Sequence, residues 1–142
     1  MAPQQGAHLM SLESAIVARA AATPSLVAEI GNRMFNAVAP ANAARPHVVF
    51  DLVGGEGRER SMGDGVNMAR QRVQFSVISD SAVTEIAVHA ALMAAFDWYQ
   101  ATISGTEIVN AYAEGSRQTI GAEAALPDTR VTSQDFIFLY RE

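Results

Sequence analysis

RQRVQFSVISDSAVTEIAVHAAL, Arg70–Leu92, decides the fold class. In its first half Val73, Phe75 and Val77 alternate with Arg72, Gln74 and Ser76. That is the period of a strand with one buried face and one polar face. The spacing predicts a strand over about Met68–Ser79. Asp80-Ser81 is a capping pair, and beyond it the period changes to that of a helix, expected over about Ala82–Gln100. Val88, Leu92, Phe96 and Tyr99 form one stripe of that helix, and Ile86, Ala90 and Met93 widen it. At ~1.5 Å per residue the helix is about 28 Å long. A helix apolar over so much of its circumference is either sandwiched or faces another subunit.

Upstream, Ser11 caps a helix predicted through about Ala22, with Leu12, Ile16 and Ala20 on one stripe. Thr23-Pro24 then opens a short helix that ends at Gly31. Arg33–Val38 reads as a short extended segment and His47–Val53 as an apolar strand. Between that strand and the next lies GGEGRERSMGDG, residues 54–65, in which five of twelve residues are Gly. It reads as a long hairpin loop that orders on contact with a partner. Downstream, Thr106–Tyr112 and Val131–Tyr140 are strands, and 121–129 is a loop. The expected fold is α+β: a largely antiparallel sheet of about five strands with helices packed on one face. The expected organisation is a flexible N-terminal arm, 1–10, and a single domain, 11–142.

Composition narrows the function. The chain has 142 residues, a net charge of −5, no Cys and no Lys. Lack of Cys excludes a disulfide framework, a Cys-ligated zinc site and thiol catalysis. Lack of Lys excludes Schiff-base chemistry and a P-loop lysine. The acidic balance argues against a protein that binds nucleic acid by neutralising phosphates. No apolar run approaches the ~20 residues that cross a bilayer, and MAPQQGAHLM has no signal-peptide pattern, so folding in the cytoplasm is expected.

Catalytic and metal-ligating patterns are sparse. Ser61 has no nucleophile elbow around it. His47 with Asp51, and Glu85 with His89, are pairs and do not make a ligand set; a cross-strand polar contact and a helical ion pair account for them. The Gly-rich stretch lacks the spacing of a phosphate loop. Arg58, Arg60, Arg70 and Arg72 lie close together, but Glu56, Glu59 and Asp64 among them leave residues 54–72 at +1. Such mixed charge suits a protein partner, on which arginine forks meet carboxylates.

Four stretches carry a family likeness: Met10–Pro40, with two helices and a Gly-x-Arg step into a short strand; RPHVVFDLV, Arg45–Val53; Arg70–Leu92; and QDFIFLY, Gln134–Tyr140. With them the chain resembles the tail-terminator, or tail-completion, family of long-tailed (siphovirus-like) phages and gene transfer agents. The nine residues before Met10 precede the usual start, and His47 stands where an aromatic is common.

The resemblance implies a structural virion protein at the head–tail junction, with no catalytic residues, no cofactor and no metal. It implies a homo-hexameric ring that caps the tail tube and joins it to the head-side connector, or head-closure, protein. DNA passes through the lumen without specific binding, and no membrane is involved. Six copies at −5 each would carry −30, and a lumen without clustered positive charge does not trap DNA. The expected interface residues are Glu56, Arg58, Glu59, Arg60, Met62, Arg70 and Arg72. The alternatives are another neck component, such as a head-closure or adaptor ring, and a small ligand-binding domain or enzyme. The last would need a pocket between the 82–100 helix and the sheet, with His89, Tyr99 and Tyr112 as its polar groups.

Overall fold

A computed structural model describes residues 11–60, 67–120 and 129–141. Two helices open it, α1 (Ser11–Ala21) and α2 (Pro24–Ile30). Strands β1 (Met34–Asn36), β2 (His47–Arg60) and β3 (Asn67–Ser79) follow, then α3 (Ala82–Phe96). Strands β4 (Tyr99–Ile103), β5 (Thr106–Ile120) and β6 (Arg130–Arg141) close the chain.

The strands form one sheet in the order β1-β2-β3-β6-β5-β4. Only β1 with β2 is parallel; the other pairings are antiparallel. The α+β class and the largely antiparallel sheet therefore match the sequence reading. Among the described residues the sheet has six strands, one more than the about five expected. The extra one is β4, whose first two residues, Tyr99 and Gln100, were expected at the end of the long helix. That helix stops at Phe96, because Asp97 turns extended and Trp98 adopts a φ of 60°. Asp97 Oδ1 accepts the Ala113 N–H at 2.9 Å, which holds the exit from the helix against β5. Ser104 and Gly105, at φ of 51° and 80°, then make the two-residue primed turn that joins β4 to β5.

The loop assigned to residues 54–65 also needs correction. β2 continues through Arg60 and pairs with β3 as far as Arg60 with Asn67. Glycine makes this possible without breaking the strand: Gly54, at φ 76°, sits in a bulge where the register shifts between Val53 and Gly57. The same device lengthens β5, where Gly115 at φ 76° lies in a shift between Ala113 and Ser116. Residues 61–66 and the loop expected at 121–128 lie outside the described residues, and so does the arm expected at 1–10.

The core lies between the sheet and the helices. Phe96, on the last turn of α3, packs 5.1 Å from Phe75 and 5.9 Å from both Phe136 and Phe138, measured between ring centroids. Rings offset at such distances add attraction beyond area burial. Ser81 caps α3 as expected, its hydroxyl accepting the Thr84 N–H at 3.2 Å. Thr23 behaves differently: its hydroxyl turns back and donates to Arg19 O at 2.7 Å, and it makes no cap bond to α2. α1 touches β1 at one end of the strand order and β4 and β5 at the other. The sheet is thus curled around the helices, and α1 lies where its two edges approach.

Candidate assembly surface

Among the described residues, alternation leaves one face of the sheet without a helix. On β3, Ala69, Gln71, Val73, Phe75, Val77 and Ser79 are buried toward the helices. Arg70, Arg72, Gln74 and Ser76 point to the other side, which nothing among the described residues covers.

Register organises this second face into rows. Val53 pairs with Arg72, Arg72 with Ile137, and Ile137 with Tyr112. Trp98 extends the row by stacking on Tyr112, with centroids 6.2 Å apart and planes 27° apart. Ile137 is fully buried between the long side chains of Arg72 and Tyr112, whereas Trp98 is 71% exposed. A tryptophan this exposed, on a backbone conformation that L residues rarely adopt, is a natural anchor for a partner.

Beside that apolar row runs a polar one: Asp51 pairs with Gln74, and Gln74 with Asp135. Arg72 reaches into it. Its guanidinium donates to Asp135 Oδ2 at 2.8 Å and also to Glu114 Oε1. The bond to Asp135, followed by the contact with Glu114, holds the Arg72 pKa above its ordinary value. One cation between two carboxylates leaves the cluster a charge short of neutral. Around it is a hollow of about 380 Å³ lined by Arg72, Gln74, Glu114, Gly115, Ser116, Ser133 and Asp135. A second hollow of about 370 Å³ runs along α1 beside Asn36, lined by Glu13, Ser14, Val17, Ala18 and Ala21.

The expected interface residues divide into three groups. Arg70 and Arg72 are on the helix-free face. Glu56, Arg58, Glu59 and Arg60 belong to β2, at the far end of the β2–β3 hairpin, where Arg58 pairs with Ala69 and Glu59 with Met68. Met62 lies outside the described residues, as does Ser61, which was considered only as a nucleophile. The hairpin reading missed Glu114, Asp135, Tyr112 and Trp98. The alternation of β6 places Asp135 and Ile137 on one face, but their meeting with Arg72 depends on a strand order that no local pattern shows.

The groups considered for catalysis do not converge. Phe75, Phe96, Phe136 and Phe138 fill the space between α3 and the sheet. His89 bonds Gln134 Oε1 at 2.7 Å through Nε2. Glu85 pairs with Arg130 at 3.2 Å. Tyr99 lies under the Arg19 guanidinium, 4.2 Å from the ring centroid, while Tyr112 is on the other sheet face. His47 is buried against Phe35, with Nδ1 donating to Ala44 O at 3.1 Å, and Asp51 is exposed. Burial, with help from Arg45 and Arg33, pushes the His47 pKa below its ordinary 6.5, although the Ala44 bond opposes this. No group of three or more His, Cys, Asp or Glu able to hold a metal occurs among the described residues. No helix there is long and apolar enough to cross a membrane.

Comparison with known proteins adds the family. A family profile described as Tail completion protein gp17 matches residues 14–141. Among solved structures, the chain is similar to one in the virion of a native gene transfer agent (GTA) particle. The TM-score is 0.63 at 21% identity, over 91% of this chain and 98% of that one. No curated protein matches. The profile runs from within α1 through α2, every described strand and the face that carries Arg72, Asp135 and Trp98; the chain belongs to the tail completion protein gp17 family.

Proposed function

We propose that copies of this chain join in a hexameric ring that caps the finished tail tube, connects it to the head-side connector and leaves a lumen for DNA. The coarser part follows from the family: a tail completion protein is a structural component of the virion tail or neck and not an enzyme. The observation that carries the finer part is the helix-free sheet face. A monomeric protein has little reason to expose Trp98 and Val53 beside a buried Ile137 on a face with no helix. A ring hides two different complementary patches on every subunit. The far end of the β2–β3 hairpin, with Glu56, Arg58, Glu59, Arg60 and Met62, supplies the second patch in this reading, while Arg70 and Arg72 belong to the first.

Virion placement agrees with the particle from which the similar chain comes. The net charge of −5 agrees with a conduit that does not bind DNA. Light scattering and native mass spectrometry of the purified chain, with and without tail-tube protein, test the proposal. Hexamers, alone or on tube ends, are expected. A chain that stays monomeric or dimeric and never binds tube ends contradicts it. Rings that bind the connector and ignore the tube would identify a head-closure or adaptor ring instead.

A further inference from the structure

We propose that His89 and Gln134, on the helix side of the sheet, are positioning residues for the helix-free face: they pin the bulge in β5 and so set Glu114 and Asp135 around Arg72. The positioning stands on the subunit alone, and its consequence for assembly rests on the ring reading.

The bulge creates the need. Ala113 pairs with Phe136 and Ser116 with Gln134, so Glu114 and Gly115 together oppose Asp135. Two residues against one interrupt the ladder, and a backbone group that loses its ladder partner needs another. Gln134 supplies it. Its buried side chain lies on the same side of β6 as Phe136 and Phe138. Nε2 donates to Gly115 O at 2.7 Å and to Asp135 O at 3.0 Å. One amide thus holds the main chain of both acidic segments, next to Glu114 in β5 and at Asp135 in β6.

The orientation of that amide comes from α3. With Nε2 committed to two carbonyls, Oε1 is the atom that faces His89, 2.7 Å from the ring Nε2. An amide oxygen only accepts, so His89 Nε2 carries the proton and donates. A flipped amide would set its oxygen against two carbonyl oxygens and its NH2 against the ring N–H. His89 therefore locks Gln134 in the one orientation that serves Gly115.

The consequence lies on the opposite face. Glu114 and Asp135 are like charges on neighbouring strands, which repel unless a cation lies between them. Arg72 donates to both, and its fork bridges them because the bulge holds Glu114 beside Asp135. Contacts run from α3 through β6 and β5 to β3, across the thickness of the sheet. A partner then meets a surface whose charges are already in place.

Arginine side-chain NMR of the free chain reads the positioning, with Arg72→Lys identifying the Arg72 signal. In Gln134→Leu, exchange of the Arg72 Nη protons should quicken about tenfold while circular dichroism stays unchanged. His89→Leu should do the same, and serves if the first variant folds poorly. His89→Gln, which keeps an N–H donor, should hold the rate within about threefold of wild type. Ring formation on tube ends reads the consequence. Gln134→Leu and Glu114→Gln should each weaken it about tenfold, and together no further than either alone, since losses at independent sites would multiply. An Arg72 signal that stays the same in the folded variants overturns the positioning, whatever the rings do. Losses that multiply overturn the link to assembly. A wild-type chain that never forms rings overturns the ring reading, and the NMR still decides the positioning.

Discussion

Arg72 on β3 and Asp135 on β6 are joined at 2.8 Å across the diagonal of two neighbouring strands, and the same guanidinium also holds Glu114 on β5. One side chain thereby ties three strands on the face that has no helix. The pairs are only partly buried, so their contribution to stability is small and screened by salt. Arg72→Met should lower the urea midpoint slightly at low ionic strength. The gap from wild type should close as salt approaches about 1 M. A gap independent of salt would assign the effect to packing over Ile137.

Phe96 is the keystone of the packed side. It is fully buried and touches Phe75, Phe136 and Phe138. Phe96→Ala should cost about 3–5 kcal/mol in urea unfolding. A loss under 1 kcal/mol would mean that the site collapses around the missing ring.

Gly115 carries the bulge that lets β5 run on past Ala113. Its φ is 76°, and an added Cβ meets nothing within 4 Å. Gly115→Ala should therefore cost roughly 1–2 kcal/mol, from backbone strain alone. An unchanged midpoint would show that the bulge can shift its register at little expense.

His47 makes the fold sensitive to mild acid. Burial lowers its pKa below 6.5, so the folded protein holds it neutral where the unfolded chain already takes up a proton. Stability from this residue is present above about pH 6.5 and is lost as pH falls from there toward the folded value. Unfolding free energy measured at steps from pH 7.5 to 5 should decline, and His47→Phe should flatten the decline. An equally steep profile in the variant would point to other groups.

Much of this fold is legible in local pattern. The 3.6-residue period and Ser81 give α3; the alternation of Val73, Phe75 and Val77 gives β3; Thr23-Pro24 gives the start of α2. The errors have a common cause. At Trp98–Ile103 the chain has residues that suit both a helix and a strand, and the edge of the sheet captures them. At Gly54–Arg60 the composition reads as a loop, yet pairing with β3 supplies the hydrogen bonds and the glycine merely accommodates the bulge. In both places tertiary pairing overrides local preference. The candidate surface was half visible. Arg70 and Arg72 stand out by spacing, while Glu114, Asp135 and Trp98 join them only through the order β3-β6-β5-β4.

Cryo-electron microscopy of the intact particle tests the central claim most directly. The account predicts six copies of this fold in a ring at the upper end of the tail tube, with the face of Arg72 and Trp98 covered by the neighbouring subunit. A head–tail junction in which this chain is absent would contradict it.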